Sequence, residues 1–397
     1  MIDVPEAIKF IERETVPIGA EKVTVSQSVG RILAENIIAD TDLPPFDRSQ
    51  MDGYAVLAKD TKNAPVSLRI VGESAAGRGW HKIMKQGEAV RIMTGAPVPN
   101  GADSVQKIEF ARESGDLVEI FEPTEKGRFI IYRGDEIKKG KTIFKSGTLV
   151  TENKIATLAA FGYAKVSVSK QPRVSIIGTG SEIVEINTKP GRDQIRNSNS
   201  VMLAALCRKY SANPAILAYV KDEMADLKSQ ISNAVKRSDI VILTGGVSVG
   251  KYDLTKSALI GLGSTIFFEK VRLKPGKPAV FARLGKTLIF GLPGNPVSAA
   301  VTFYLFVRKA ILMMQGASNS NLKTSFAVLA ADAKAARERD SYLPSRLENN
   351  KLGQAVAYPL KWSGSSDFIG FAQADSLIFV PRDKNMANGE VAEIVYL

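Results

Sequence analysis

Apolar residues recur with helical spacing in three segments of the first 162 residues. In residues 4–14 they fall on one face, which predicts a first amphipathic helix. A second helix is predicted over residues 26–36, with Ser26 or Ser28 near its start. Residues 151–162 return to a helical pattern rich in alanine. These segments together predict a helical domain.

Between residues 42 and 135 the pattern changes to short runs in which apolar and polar residues alternate. Residues 66–71 and 88–92 are examples, and glycine and proline turns such as residues 94–101 separate the runs. This texture is typical of an all-β module. Because the helical pattern resumes afterwards, the module is predicted to be an insertion within the helical domain.

From about residue 172, strand-like and helix-like segments alternate. The strand-like segments are 174–177, 215–220 and 239–243, and the helix-like segments are 198–209 and 223–236. Such alternation predicts a doubly wound, mostly parallel α/β sheet with helices on both faces. A long apolar helix over residues 296–314, opened by Pro296 in its first turn, completes this unit.

Residues 322–397 return to short strands and turns, which predicts a small β-barrel-like domain at the end of the chain. The whole chain is thus predicted to be a multidomain α/β plus β protein. The predicted domains are a discontinuous helical domain (1–41 and 137–171), a β-rich inserted domain (42–136), an α/β domain (172–320) and a C-terminal β domain (321–397).

Composition narrows the class of protein. A chain of 397 residues, 45% hydrophobic and 24% charged, has the balance of a globular protein with two to four domains. No run of eighteen apolar residues predicts a membrane span, and the first residues lack a signal-peptide pattern. Cys207 is the sole cysteine and lies in an apolar run, so we expect a buried, inert thiol. A cytoplasmic protein is the interpretation that fits these features.

The single histidine, His81, argues against a histidine-rich zinc site and against triads or dyads that use an imidazole base. Acid, base and metal chemistry would therefore fall to carboxylates, lysines and main chain. The formal net charge of +12 suits either nucleic acid or small anions. Since the basic residues are scattered, without a run of five, small anionic substrates are the stronger interpretation and no nucleic-acid partner is expected.

Four glycine-rich segments lie at positions where a strand is expected to end: residues 178–182, 244–253, 274–278 and 291–298. Ligands of open α/β sheets bind at such junctions, and glycine lets main-chain amides approach an anion. Taken singly, each segment is better explained as an ordinary tight turn. None is a Walker motif, and the glycines at 178 and 180 lack the third glycine of a dinucleotide-binding fingerprint.

Charged residues in these loops suggest a chemistry. Glu182 and Asp253 are carboxylates of the kind that holds magnesium with water, and Lys274 and Lys277 add fixed positive charge. Asp253 and the two lysines also have a structural explanation, since Asp253 is placed to cap the next helix and the lysines flank a Pro-Gly turn.

Several strings occur together and in order along the chain: Asp-Arg-Ser-Gln-Met-Asp-Gly-Tyr-Ala at 47–55, Arg-Ile-Met-Thr-Gly-Ala-Pro-Val-Pro at 91–99, residues 244–250, Lys-Pro-Gly-Lys-Pro at 274–278, and residues 291–298. In this combination the sequence resembles the molybdopterin molybdenumtransferase family, which comprises the bacterial and archaeal MoeA proteins and the gephyrin E domain. The resemblance covers essentially the whole chain.

The resemblance implies an enzyme that inserts molybdate, or tungstate, into adenylylated molybdopterin with Mg²⁺-dependent release of AMP. It implies an elongated homodimer of four-domain subunits, with a cleft shared between subunits, dimerisation through the helical domain and pterin binding in the α/β domain. Molybdenum or tungsten enzymes would receive the product. A non-catalytic pterin-binding or scaffold member of the family is the alternative function, and an enzyme acting on other nucleotides is a weaker one.

By motif position, the resemblance also assigns roles to residues. Glu182 and Asp253 would bind magnesium, while the catalytic acids would be Asp253, Asp222, Asp52 and Glu136. The substrate-binding residues would be Thr179, Gly180, Gly245, Gly246, Ser248, Gly250, Gly294 and Asn295. The molybdate-binding residues would be Lys274, Lys277, Ser298, Arg339 and Ser365.

Some of these positions depart from the family pattern or leave alternatives open. Ser181-Glu182 stands where the family often has two acids, and Asp135-Glu136 reverses the usual order. Asp222 could instead cap the helix predicted at 223–236, and Asp52 a turn ahead of Gly53. Neighbouring arginines and serines leave the choice of Arg339 and Ser365 open by a residue or two.

Overall fold

The computed structural model describes residues 1–217, 223–245, 254–361 and 364–397. Backbone contacts divide the chain into two compact units. The first, called the core unit below, comprises Met1–Glu35, Ser146–Ile155 and Lys165–Leu397. The second, called the insert unit, comprises Asn36–Lys145 and Ala156–Ala164.

The insert unit is built around a six-stranded sheet, so the alternating pattern between residues 42 and 135 does form strands. The order across the sheet is Ser104–Lys107, Gly53–Val56, Glu88–Ile92, Val66–Ser74, Leu117–Ile120 and Ala111–Ser114. Neighbours are antiparallel except Val66–Ser74 and Glu88–Ile92, which are parallel. The four domain boundaries drawn from the sequence stay predictions.

Successive residues of this sheet point to opposite faces, and both faces are covered. Ala55 and Val90 pack into one hydrophobic cluster, whereas Tyr54 and Ala89 pack into another. Two short antiparallel pairs complete the β structure: Arg48–Ser49 with Ile130–Ile131, and Ile37–Ile38 with Thr142–Phe144. Two 3₁₀ turns lie at Ala58–Thr61 and Ile108–Phe110.

Gly53 lies where two strands of the insert sheet approach most closely. A Cβ atom at this position would lie 2.0 Å from the carbonyl oxygen of Gln106. We therefore expect Gly53→Ala to destabilise the insert unit by about 2–3 kcal/mol, since backbone would have to move. Calorimetry of the full chain measures this as a lower melting temperature for the transition of the insert unit.

Gly87→Ala is the matched control for this change. Gly87 also has a positive φ, of 77°, but nothing lies within 4 Å of the added methyl group. The Gly87→Ala variant therefore tests backbone strain alone, without a close approach to another strand. Such strain is expected to cost about 1–2 kcal/mol. If the melting temperature of Gly53→Ala equals or exceeds that of Gly87→Ala, the strand pair tolerates a side chain at residue 53.

The α/β sheet of the core unit has six strands, and its mostly parallel order confirms the predicted fold class. The order is Asn213–Ile216, Arg173–Gly178, Ile240–Thr244, Thr287–Leu292, Val280–Leu284 and Thr265–Phe268. The first four strands are parallel, and the last two continue the sheet in antiparallel fashion. The helices are Ser198–Lys209, Met224–Val235, Leu254–Gly261 and the long helical segment Pro296–Met314.

The strands of this sheet read as continuous apolar runs because helices cover both faces. Ile176 and Ile242 enter the cluster on one face, while Ile177 and Val241 enter the cluster on the other. Cys207 is buried in the first cluster, as expected, and burial raises the pKa of its thiol to about 12. A thiol in this state is inert.

The helical segment Pro296–Met314 is the one described helix that is long and apolar enough to cross a membrane by length and composition. Of the window tested, 83% is buried inside the protein. It begins with proline in the first turn and contains a π-helical turn at Phe303–Val307. The segment is therefore the core helix of the α/β domain, as the sequence predicted.

The last part of the chain forms a closed barrel of five strands. These are Thr324–Leu329, Asp340–Asn349, Ala355–Pro359, Ser376–Val380 and Val391–Tyr396. The ring closes because Asp340–Asn349 pairs with both Ala355–Pro359 and Ser376–Val380. Leu273–Lys274 from the α/β domain adds a short parallel strand beside Asp340–Asn349. The short helix Phe368–Phe371 lies between two barrel strands.

Near the start of the chain, the helix Val4–Glu14 is present as predicted, and so is Glu152–Ala160. The helix predicted over residues 26–36 is wrong. A 3₁₀ turn at Val25–Ser28 ends at Gly30, whose φ is 78°. After it the backbone pairs across the chain: Leu33 donates to Thr148 and Val150 donates to Arg31.

Two further pairs of short strands complete the core unit. Ala20–Thr24 pairs with Lys165–Ser169, and Ile183–Val184 pairs with Ile195–Arg196. The strand predicted over 215–220 begins earlier, as Asn213–Ile216. Its Pro214 is tolerated because this strand lies at the edge of the sheet.

Candidate active site

Three parallel strands of the α/β sheet end at the same edge, and the glycine-rich loops follow directly. Gly178 is paired with Thr244, and Thr244 with Leu292, so the three strands end at the same level in the sheet. Open α/β sheets bind their ligands at this edge. Three of the four glycine-rich segments predicted from the sequence, those at 178–182, 244–253 and 291–298, therefore begin next to one another.

The loops pack so closely that one glycine is required by space. Thr179 N donates to Thr244 O over 2.9 Å. Gly245 has a φ of 91°, and a Cβ there would lie 2.1 Å from Thr179 O. A Cβ on Gly294 would lie 3.5 Å from the Gly245 Cα. The backbone at the strand ends is thus open to a ligand but closed to larger side chains.

Asn199 joins these loops, although it is not one of the site residues predicted from the sequence. Its side-chain amide Nδ2 donates to Thr244 Oγ1 over 3.1 Å and to Gly294 O over 2.7 Å. Its Oδ1 is buried and receives no hydrogen bond from the described residues. The available signal was the string Arg-Asn-Ser-Asn-Ser at residues 196–200, where the helix begins and Asn197 caps it by accepting from Ser200 N.

An open cavity of about 550 Å³ lies over this edge and is called the strand-end cavity below. Among its lining residues are five of the predicted substrate and metal residues: Thr179, Glu182, Gly245, Gly294 and Asn295. Asn199 and Thr244 line it as well. Ile183, Ile195, Pro190 and Phe368 give it apolar walls. The cavity can therefore take a ligand with flat apolar rings and a polar, anionic part.

Glu182 brings a carboxylate to the strand-end cavity. It is exposed, and its Oε2 lies so near Gly180 that a Cβ on that glycine would be 2.6 Å away. Within the part of the chain that the structure describes, no three acidic, histidine or cysteine side chains cluster as a metal site. Magnesium often binds through one or two carboxylates together with substrate phosphates and water. A single glutamate beside a cavity of this kind fits that mode.

A second cavity of about 540 Å³ is called the oxyanion cavity below. Its lining includes all five residues that the sequence assigned to molybdate: Lys274, Lys277, Ser298, Arg339 and Ser365. The other lining residues are Pro275, Gly276, Pro278, Pro293, Asn295 and Gly364. Among these described residues there are three cationic side chains and no carboxylate. The cavity is thus suited to a small anion.

The oxyanion cavity combines two domains of the core unit. The lysines and Ser298 come from the α/β domain, whereas Arg339 and Ser365 come from the C-terminal region. Val297 N donates to Ser365 O over 3.2 Å, and Asn295 Nδ2 donates to Ser365 Oγ over 2.7 Å. Asn295 lines both cavities, so the two ligand sites are adjacent.

The geometry also selects between neighbouring candidates. Arg339 lines the oxyanion cavity, whereas Arg337 does not. Ser365 lines the same cavity, whereas its neighbour Ser366 lines the strand-end cavity.

Five assigned residues lie outside the described ranges: Asp222, Gly246, Ser248, Gly250 and Asp253. Their roles stay as the sequence predicted them.

The two remaining assigned acids, Asp52 and Glu136, lie in the insert unit and are exposed. Asp52 Oδ1 accepts from Thr94 N over 2.7 Å and from Thr94 Oγ1 over 3.0 Å. Both hydrogen bonds hold the pKa of Asp52 below its usual value, and the one from the backbone N–H of Thr94 has the larger effect. Glu136 pairs with Arg48 at 2.9 Å. Residues of the strings at 47–55 and 91–99 therefore orient these carboxylates.

The chain is a multidomain α/β plus β protein suited to binding an anionic ligand. It combines an open α/β sheet, an apolar-walled cavity at the strand ends, an adjacent cationic cavity, a closed barrel and a β insert. Three family models match the chain in the same order. They are the MoeA N-terminal region (domain I and II) at residues 2–162, the probable molybdopterin binding domain at 175–313, and the MoeA C-terminal region (domain IV) at 327–397. The chain belongs to the MoeA family of molybdopterin molybdenumtransferases.

Full-length relatives agree with this assignment. The molybdopterin molybdenumtransferase of Staphylococcus aureus strain COL is 34% identical over 399 residues, covering 99% of this chain and 95% of that protein. Its counterpart in Staphylococcus epidermidis strain RP62A is 31% identical over the same extent. The crystal structure of the molybdopterin biosynthesis MoeA protein from Pyrococcus horikoshii OT3 has 30% identity, full coverage of both chains and a TM-score of 0.88.

Proposed function

We propose that this protein is an enzyme that inserts molybdate, or tungstate, into adenylylated molybdopterin, with Mg²⁺-dependent release of AMP, and so completes the molybdenum cofactor. The observation that carries the proposal is the oxyanion cavity, where three cations and two serines from two domains surround one space. Membership of the family supplies the reaction class, and its named relatives are transferases.

Molybdate is a tetrahedral dianion, and its recognition requires donors from several directions. Lys274 and Lys277 present ammonium groups from one rigid Pro-Gly turn, and Arg339 adds a planar guanidinium from the opposite domain. The hydroxyls of Ser298 and Ser365 complete the donor set. Tungstate has the same shape and charge, so this donor set predicts no strong preference between the two oxyanions.

The adenylylated pterin fits the strand-end cavity by its chemistry. Its ring systems are flat and match the walls made by Ile183, Ile195 and Phe368. Its phosphates match the glycine-lined backbone at the strand ends, where main-chain amides can donate. Because Asn295 borders both cavities, an oxyanion bound in one lies beside a pterin bound in the other.

Release of AMP is a hydrolysis of the phosphoanhydride. Water adds to phosphorus, the bridging P–O bond breaks, and the terminal phosphate stays on the pterin. Magnesium, when bound, supplies charge neutralisation for the phosphates. Glu182 would hold it together with Asp253, which the sequence assigns to the same role. Asn199, through its bonds to Thr244 and Gly294, keeps the loops that meet the phosphates in register.

The proposal is tested by incubating the protein with adenylylated molybdopterin, magnesium and either oxyanion. We expect AMP to be released and metal-loaded cofactor to form. Chromatography measures both products. Tight pterin binding without AMP release at saturating oxyanion would refute the enzymatic function and favour the scaffold alternative.

We further propose a cytoplasmic homodimer in which the insert unit of one subunit completes the cleft of its partner, with molybdenum or tungsten enzymes as recipients. A two-fold axis would then create two equivalent sites. Asp52 and Glu136 are the insert-unit acids that would serve the partner's cleft. Their carboxylates are exposed and already oriented by Thr94 and Arg48.

Mixing two inactive variants tests the shared cleft. Asp52→Ala removes an acid of the insert unit and Asp253→Ala removes an acid of the α/β domain, and each variant is expected to release almost no AMP on its own. After subunit exchange, heterodimers regain one intact site, so about a quarter of the wild-type AMP release should return. Mass spectrometry verifies the exchange. A fully exchanged mixture that stays inactive would mean that each subunit supplies its own Asp52.

A further inference from the structure

Asp3, the residue before the first helix, accepts hydrogen bonds from two arginines that come from distant parts of the chain. Its Oδ1 lies 2.9 Å from Arg382 Nη1 and 3.1 Å from Arg272 Nη1. Both guanidiniums are partly exposed, as is the carboxylate. Asp3 thus connects the N-terminus with two other segments of the core unit through a single oxygen atom.

Arg272 belongs to the segment that leads into the oxyanion cavity. It directly precedes the short strand Leu273–Lys274, whose lysine lines that cavity. The N-terminus is paired with this segment, because Ile2 N donates to Lys270 O and Arg272 N donates to Ile2 O. Asp3 therefore holds the backbone immediately behind Lys274.

Arg382 belongs to the barrel and is tied to the other side of the cavity. Its backbone N–H donates to Asp340 Oδ1 over 3.1 Å, and its Nε lies 3.9 Å from the same oxygen. Asp340 follows Arg339, the barrel cation of the oxyanion cavity. Asp3 therefore also holds the segment behind Arg339.

These two sides meet in one short strand pair. Leu273 is paired with Asp340 and Lys274 with Ser341, and Asp340 N donates to Arg272 O over 3.0 Å. This pairing sets the separation between Lys274 and Arg339. Two guanidiniums gathered behind the pair repel each other unless a negative charge lies between them. That charge is present because an aspartate is ionised at neutral pH, and the Arg382 and Arg272 contacts hold the pKa of Asp3 below its usual value.

We propose that Asp3 is a positioning residue of the oxyanion cavity: it ties the strand that carries Lys274 to the barrel and so fixes the spacing of Lys274 and Arg339. This role rests on the proposed function for its consequence in catalysis. Asp3 is not among the residues that line the cavity. It acts through Arg272 and Arg382.

The test compares Asp3→Asn with the wild-type protein. The amide keeps the shape but removes the charge that binds both guanidiniums. We expect the molybdate concentration at half-maximal cofactor formation to rise about tenfold, since displacement of a ligand-binding group by less than 1 Å has effects of this order. The rate at saturating molybdate should change less than twofold. Asp3→Glu, which retains the charge, should recover most of the loss.

Glu6→Gln is the matched control, because Glu6 is an exposed carboxylate in the first turn of the same helix. It removes an equal charge and should leave the half-saturating molybdate concentration unchanged. A merely structural role for Asp3 would lower the amount of folded protein and hence the maximal rate, without changing that concentration.

Hydrogen exchange of the Asp340 amide gives a readout that needs no activity. This amide donates across the strand pair, so Asp3→Asn should speed its exchange at least several-fold while the amides of the α/β core stay protected. Unchanged exchange and unchanged half-saturation would overturn the positioning role and leave the proposed function intact. A wild-type protein that neither binds tungstate nor releases AMP would instead overturn the proposed function, and the catalytic consequence of Asp3 with it.

Discussion

Replacing Lys274 and Lys277 together by alanine is expected to raise the molybdate concentration needed for half-maximal cofactor formation by at least about 100-fold. Each lysine offers a charge-assisted hydrogen bond to the oxyanion, and such bonds contribute about 1.5–3 kcal/mol each. Binding of adenylylated molybdopterin should change little, because neither lysine lines the strand-end cavity. A molybdate titration of cofactor formation and a direct titration with the pterin measure the two effects.

A control variant with the same loss of charge separates direct contact from the general positive field. Lys236→Ala with Lys286→Ala removes two exposed lysines of the α/β domain, and neither lines the oxyanion cavity. This variant should keep its half-saturating molybdate concentration within about twofold at ordinary ionic strength. If the cavity variant behaves like this control, Lys274 and Lys277 are only solvated residues of a turn.

Glu182→Gln is expected to slow AMP release by about 100-fold at limiting magnesium, with a partial recovery as magnesium is raised. The amide keeps the size of the side chain but is a much poorer ligand for a hard cation, so stabilisation of the developing charge is lost. A magnesium titration of AMP release at saturating pterin and molybdate measures the change.

Glu185→Gln serves as the control for this experiment. Glu185 is an exposed carboxylate three residues further along the same segment, and it does not line the strand-end cavity. Its magnesium dependence should match the wild type. A Glu182→Gln protein with normal turnover at limiting magnesium would show that the acids outside the described ranges, such as Asp253, bind the cation without it.

The elements that the sequence predicted well have a pattern that depends on local burial. The strands around Ile176 and Ile242 are apolar throughout because both faces of the sheet are covered, and the helix beginning at Pro296 is apolar because it lies in the core. The error at residues 26–36 has the opposite cause. There, the partners of Arg31 and Leu33 lie more than a hundred residues away, around Thr148 and Val150, and no local spacing reveals them.

The candidate site divides in the same way. The glycine-rich loops could be placed together from the fold class alone, since parallel strands end at one edge. The meeting of Lys274 with Arg339 and Ser365 could be inferred only through the family resemblance, because it depends on how the barrel is joined to the α/β sheet. Asn199 was missed since a helix N-terminus rich in serine and asparagine is usually explained by capping.

Asn295 gives the two cavities a common wall, since it borders both and donates to Ser365. A ligand that moves this side chain in one cavity therefore alters the boundary of the other. Thermodynamic linkage makes any such effect mutual: the factor by which the oxyanion changes the affinity for the pterin equals the factor by which the pterin changes the affinity for the oxyanion. The equilibrium occupancy of the ternary complex is therefore the same whichever substrate binds first.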